Sequence, residues 1–194
     1  MNVIKHIVLD IDETLIHTKM TPTKCEHTFS IDKTSYYVKY RPYLAEFINF
    51  IFNNFDSINI WTAATYDYAK NIISKVLHTL LLDKSLLYKL KFFNTRQQVS
   101  IDGSKKLNKL FNTEFAKSLN ILETNTIMID DKESVFNYNT GNGIIIPAWT
   151  GKKSDKFLLK LIKVIDVIQK EGLMINIKGN SINLSEIFTK KKSS

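Results

Sequence analysis

The chain has 194 residues, 44% of them hydrophobic and 24% charged, and a net charge of +8; this is enough for one globular domain with a real core. A single cysteine, Cys25, excludes a disulfide framework and argues against a thiol-based metal site. No run approaches the roughly 20 apolar residues of a membrane span, so a soluble intracellular protein, cytoplasmic or nuclear and without a membrane partner, is expected.

In chain order, Val3, Ile4, Ile7, Val8 and Leu9 read as a short strand covered on both faces of a parallel sheet. Directly behind it comes VLDIDETLIHT, residues 8–18, which places Asp10 and Asp12 at the strand's carboxyl end. In open α/β sheets that edge is where ligands bind. Residues 28–40, TFSIDKTSYYVKY, alternate about a polar DKTS stretch and predict a β-hairpin. RPYLAEFINFIFNNF follows with helical spacing and Pro42 suited to a first turn. SINIWTAA is a second buried strand, and YDYAKNIISKVLHTLL a second amphipathic helix.

Residues 83–104 mix short apolar and polar pieces and predict one or two short strands. KKLNKLFNTEFAKSL predicts a third helix or a pair of turns, TIMIDD a third buried strand ending in carboxylates, and GIIIPAW a fourth. SDKFLLKLIKVIDVIQK is an amphipathic helix for which Ser154 is the expected N-cap. The tail from Leu173 predicts a hairpin about Gly179 and Asn180, or a strand added to its own sheet or to that of a second protomer, before a basic end; oligomeric state stays open. Strands alternating with helices predict a three-layer α/β fold with a mostly parallel sheet.

Three strand ends carry chemistry: Asp10 and Asp12, then Thr62, then Asp130 and Asp131. Each alone is an ordinary cap or turn residue, but together at one sheet edge they make a site. Four carboxylates in one cleft repel one another, so they raise a pKa or hold a cation. An all-oxygen set without a histidine or cysteine cluster suits a hard ion, Mg²⁺ above all. A calcium loop starting at Asp10 is excluded, because its sixth position is Leu15 instead of Gly and its twelfth is Thr21 instead of Glu. With a hard cation present, Asp10 and Asp12 suit a nucleophile and a general acid/base for phosphoryl transfer. Thr62 can donate to a phosphate oxygen, and Lys105 and Lys106 are the candidate cations.

LDIDETLIHT resembles the aspartate signature of the haloacid dehalogenase (HAD) superfamily, in the form used by phosphatases of the RNA polymerase II carboxy-terminal domain (CTD), including the small CTD phosphatases. YVKYRPYLAEF, WTAATYDYA, KKLNKL, IMIDDKES and IIIPAWTGKKSD resemble that family's further segments in the family's order, from about residue 3 to about residue 170. The resemblance implies a HAD-like catalytic domain over residues 1–172, a small β insertion at about 83–104 in place of a large cap domain, and a hairpin or tail over 173–194. It implies a covalent phosphoenzyme on Asp10, acid/base Asp12, and phosphate contacts from Thr62 and Lys105. Mg²⁺ would lie on Asp10, the Asp12 carbonyl and Asp131, supported by Asp130, while Thr14 braces the first motif at the phosphate site. Lys105 is chosen because it aligns with the lysine of the family's Lys-Asp-Leu; Lys106 stands where the aspartate is usual.

By the same resemblance Arg96 of FNTRQQV helps bind the phosphopeptide; its alternative is a pairing with a surface carboxylate. The expected substrate is a phosphoserine or phosphothreonine protein, such as the RNA polymerase II carboxy-terminal domain. Two alternatives remain. Nearly all the positive charge is lysine, arginine occurring only at Arg41 and Arg96; scattered lysine reads as solvated surface, but it also suits a phosphatase of nucleic-acid ends or nucleotides. The other is a binding module that kept the fold without catalysis. Trp61 and Trp149 read as core or cleft wall, and His6, His17, His27 and His78 show no metal-ligand spacing.

Overall fold

The apolar run behind Asp10 forms β1 (His6–Leu9), and all four of its residues are buried. In a computed structural model, which describes residues 4–138, 143–171 and 182–183, β1 lies mid-sheet. It pairs in parallel with β5 (Ser57–Trp61) on one side and β7 (Thr126–Asp130) on the other. β6 (Leu90–Asn94) extends the sheet beyond β5, while β8 (Gly143–Ile145) and β9 (Ile182–Asn183) extend it beyond β7. The order β6-β5-β1-β7-β8-β9 is parallel throughout. The chain therefore builds outward from β1 on one side and then returns to build outward on the other. The carboxyl ends of β1 and its two neighbours bound the crevice that such a reversal opens.

The period of two in the strands sorts their side chains between two apolar cores. Ile7 and Leu9 of β1, Ile58 and Ile60 of β5, and Ile127 and Ile129 of β7 face one core. That core is closed by α1 (Leu44–Asn54), α2 (Tyr66–Leu80) and α5 (Phe157–Glu171) through Phe47, Ile51, Ile72, Val76, Leu161 and Ile165. Val8, Trp61 and Met128 face the other core, closed by two short helices, α3 (Leu107–Phe111) and α4 (Glu114–Ser118). This is the three-layer α/β arrangement expected from the alternation of strands and helices.

A second, three-stranded antiparallel sheet in the order β2-β4-β3 is built from β2 (Ile16–Lys19), β3 (His27–Ile31) and β4 (Thr34–Tyr40). The β3–β4 hairpin is the one expected over residues 28–40, and its turn puts Asp32 at φ 52°. β2 is a strand that sequence pattern does not indicate. Residues 83–104, where the small β insertion is expected, instead contribute one strand, β6, to the edge of the main sheet, flanked by 3₁₀ turns. The separate β unit lies in residues 16–40, because β2 reaches β4 across the long connection that follows the first motif.

Three local expectations shift. Pro42 precedes α1 rather than opening it; Tyr43, at φ 66°, is the N-cap. KKLNKLFNTEFAKSL forms the two short helices, with the Thr113 hydroxyl accepting from the Ala116 N–H at 3.1 Å. At the start of α5, Asp155 rather than Ser154 accepts from the Phe157 N–H, at 3.1 Å. The expected hairpin about Gly179 and Asn180 lies outside the described residues, apart from Ile182–Asn183, which add a parallel strand beside β8. Among the described residues no helix is long and apolar enough to cross a membrane.

Candidate active site

Asp10 leaves the end of β1 with its N–H bonded to the Ile129 carbonyl of β7 at 3.0 Å, which ties the first motif to the strand that ends in Asp130. The backbone then turns tightly: Leu15 and Ile16 N–H both bond the Ile11 carbonyl, and Glu13 adopts φ 59°. A left-handed conformation at a non-glycine residue is uncommon and is held here by the surrounding bonds. The Glu13 carbonyl accepts from the Trp149 N–H at 2.8 Å and from Arg41 at 3.3 Å, and the Thr14 carbonyl from Arg41 at 3.0 Å.

Lys105, just before α3, is almost fully buried at 3% exposure and places its ammonium 2.5 Å from Asp10 Oδ1 and 2.6 Å from Asp130 Oδ2. Burial alone would lower its pKa, but attraction to Asp10 and Asp130 overcomes this and holds the ammonium above its ordinary value. Asp130 accepts further from the Lys132 N–H at 2.9 Å. Burial first, and then the charge of Asp10, push Asp130 upward against the pull of Lys105. Lys106 points elsewhere: it caps α3 and lies 3.9 Å from Asp102, partly exposed. The geometry thus separates the two candidate lysines.

Carboxylate oxygens of Asp10, Asp130 and Asp131 lie within 4.8 Å of one another. Asp131 Oδ1 is buried with no hydrogen-bond partner among the described residues, and burial followed by Asp10 raises its pKa. A buried, unpaired carboxylate oxygen beside two more carboxylates is costly unless something positive completes it. This all-oxygen set fits a hard divalent cation.

Asp12 faces the same cleft. Burial pushes its carboxyl up to about 6 despite a hydrogen bond from Tyr68 that favours the charged form. The Tyr68 hydroxyl lies 2.5 Å from Asp12 Oδ1 and 2.8 Å from Thr18 Oγ1, and its own pKa is raised, chiefly by burial and then by Asp12. Thr62 is buried at the end of β5, where its hydroxyl accepts from the Ala64 N–H at 3.1 Å.

The cleft has a volume of about 470 Å³ and is lined by Asp10, Asp12, Thr62 and Arg96 together with Glu13, Thr18, Met20, Tyr36, Tyr68 and Lys132. Arg96 is held at the rim by its Nε–H to the Ala63 carbonyl at 3.0 Å; it forms no ion pair with a carboxylate among the described residues. Thr14 is fully buried beneath the motif and does not line the cleft. Trp61 and Trp149 are both buried, and His6 and His17 are engaged by Ser57 and Glu13 respectively.

Tyr68, Thr18, Tyr36 and Lys132 are site residues that sequence pattern does not single out. Their signals are weak: Tyr68 is one of two tyrosines in the first turn of α2, and Thr18 and Tyr36 belong to strands that pair only through the fold.

A family model for NLI interacting factor-like phosphatase matches residues 5–174. This chain belongs to that family. It is 29% identical over 168 residues to CTD small phosphatase-like protein 2 of Dictyostelium discoideum, covering 82% of this chain and 26% of that one. It is 27% identical over 188 residues to an RNA polymerase II C-terminal domain phosphatase of Encephalitozoon cuniculi, covering 96% and 40% respectively. The NLI interacting factor-like chain thus spans less than half the length of either relative. Its fold matches that of the fission yeast RNA polymerase II CTD phosphatase Fcp1, with a TM-score of 0.56 at 19% identity, covering 86% of this chain and 51% of that structure.

Proposed function

We propose that the chain is a Mg²⁺-dependent phosphoserine or phosphothreonine protein phosphatase that works through an aspartyl-phosphate on Asp10. The observation that carries the reading is the buried cluster in which Lys105 joins Asp10 to Asp130, with Asp10 itself lining an open cleft. A carboxylate oxygen of Asp10 attacks phosphorus, the ester P–O bond breaks toward the serine or threonine oxygen, and Asp12 gives that oxygen its proton. Water then attacks the phosphorus of the acyl phosphate. Asp12 takes the water's proton, the P–O bond to Asp10 breaks, and inorganic phosphate leaves. Lys105 and Thr62 hold the non-bridging phosphate oxygens, and Arg96 at the rim holds the peptide that carries the phosphate. Thr14 stays beneath the loop as a brace.

Asp10, the Asp12 carbonyl and Asp131 would hold Mg²⁺, with Asp130 keeping the set in place; the ion supplies neutralisation of charge on the transferring group. Among the described residues no large domain covers the cleft, which leaves it open to a phosphate carried on a protein segment. The names of the relatives support a phosphorylated carboxy-terminal domain of RNA polymerase II as the substrate class.

The test is hydrolysis of p-nitrophenyl phosphate with Mg²⁺, with a chelator, and by Asp10→Asn in Mg²⁺, followed by a phosphoserine peptide and a 3′-phosphorylated oligonucleotide. Turnover that needs both metal and Asp10, and that extends to the peptide, is expected. Folded protein that turns over none of the three esters would overturn the reading; turnover of the oligonucleotide alone would reassign the substrate.

A further inference from the structure

Three elements meet at one hydroxyl. Tyr68 on α2 directs its hydroxyl to Asp12 Oδ1 at 2.5 Å and to Thr18 Oγ1 of β2 at 2.8 Å. A phenol has one proton, so one of these bonds must run the other way. The carboxylate can only accept while it is ionised, so Tyr68 donates to Asp12 and the Thr18 hydroxyl donates to Tyr68. The chain of donors ends on Asp12.

The ring behind that hydroxyl is also fixed. Phe29 of β3 and Tyr36 of β4 pack on Tyr68 with centroids 5.7 and 5.2 Å away, at 58° and 72° to its plane. Phe29 and Tyr36 stack on each other at 5.1 Å. All three strands of the small sheet therefore bear on one tyrosine, two by aromatic packing and one by a hydrogen bond. Among the described residues, no other side chain bonds the Asp12 carboxylate. The Tyr68 bond engages Oδ1 and leaves Oδ2 without a side-chain hydrogen bond among the described residues.

We infer that Tyr68 is a positioning residue: clamped by the β2-β4-β3 sheet, it holds Asp12 Oδ1 so that Oδ2 faces the scissile ester oxygen. The inference rests on the phosphatase reading above and deepens it, since it assigns the small sheet a part in the reaction. A hydroxyl that merely satisfies a buried carboxylate would affect every substrate alike. One that aims a general acid matters most where the departing oxygen is a poor leaving group, because there the proton must arrive as the P–O bond breaks.

The experiment compares p-nitrophenyl phosphate, whose leaving group departs readily, with phenyl phosphate, whose leaving group does not. Both are assayed in Mg²⁺ with wild type and Tyr68→Phe. We expect kcat/KM of Tyr68→Phe to fall by about tenfold or more on phenyl phosphate but to stay within about threefold on p-nitrophenyl phosphate. Phe29→Leu, which loosens the ring and leaves the hydroxyl in place, should skew the two esters in the same direction; it carries the test if Tyr68→Phe does not fold. An equal loss on both esters, or no loss on either, overturns the inference while leaving the phosphatase reading intact. A wild type silent on both aryl esters and on the phosphoserine peptide and oligonucleotide as well instead refutes the phosphatase reading itself and removes the reaction that Tyr68 would serve.

Discussion

Lys105 shows how one side chain governs both the chemistry and the stability of this cleft. Its ammonium is the positive partner of Asp10 and Asp130, which are 6% and 0% exposed. Removing it leaves two buried carboxylates facing each other with Asp131 alongside. Breaking a buried pair in this way costs about 3–5 kcal/mol, far more than an intact pair contributes. Lys105→Met, close in length and without charge, should therefore lower the unfolding free energy by that amount at neutral pH in metal-free buffer, as read by urea denaturation, and should abolish p-nitrophenyl phosphate turnover. Loss of turnover at unchanged stability would mean that Lys105 is not the partner of these carboxylates in the working protein. The Asp10 and Asp12 pair is legible in the sequence because carboxylates directly behind an apolar strand have few structural reasons to be there. Tyr68 is not, since its partners are 56 and 50 residues away in sequence and only the fold brings them together.

Among the elements, the strand core is legible and the small sheet is partly so. β1, β5 and β7 are buried at every residue and mostly apolar because helices cover both their faces, and such runs stand out. β2 is four residues, IHTK, graded from buried to exposed, and carries no such contrast. Inside the main sheet one polar network joins β1 to β5: His6 Nδ1 lies 2.8 Å from Ser57 Oγ, which also receives Asn59 Nδ2 at 3.0 Å, and His6 Nε2 lies 3.1 Å from the Asn120 carbonyl. A carbonyl can only accept, so Nε2 carries the proton and Nδ1 accepts from Ser57. Burial accordingly lowers the His6 pKa, which the Asn120 carbonyl only partly opposes. The unfolded chain then binds the proton more readily than the folded one, so this stability is present above the unfolded value of about 6.5 and is lost as pH falls through it toward the folded value. The urea midpoint of wild type should drop between pH 7.5 and pH 5 more steeply than that of His6→Gln. Parallel curves would show that His6 binds its proton equally well in the folded and unfolded chain.

For the molecule as a whole, the parts that must stay in register are the first motif, the exit of the central sheet and the start of α5, and one buried residue holds them. Arg41 is 1% exposed and spends its five N–H groups on five acceptors. Nε and one terminal nitrogen take Asp155 Oδ1 at 2.9 Å and Oδ2 at 3.1 Å; that same terminal nitrogen takes the Pro147 carbonyl at 2.9 Å; the other takes the carbonyls of Glu13 and Thr14. Phe157, the first residue of α5, covers the guanidinium. Asp155 in turn holds the Phe157 N–H, so the fork, the helix start and the loop behind Asp12 are one rigid unit. A lysine offers three donors at a single point and cannot span this set. Arg41→Lys should therefore cost about 3 kcal/mol in urea denaturation, with several buried carbonyls losing their donor. It should also lower p-nitrophenyl phosphate turnover beyond what the unfolded fraction explains, because Glu13 and Thr14 lose the anchor that fixes the residues following Asp12. Full activity in the folded fraction would mean that the tight turn after β1 holds its shape through its own backbone bonds to Ile11, and that Arg41 serves the start of α5 alone.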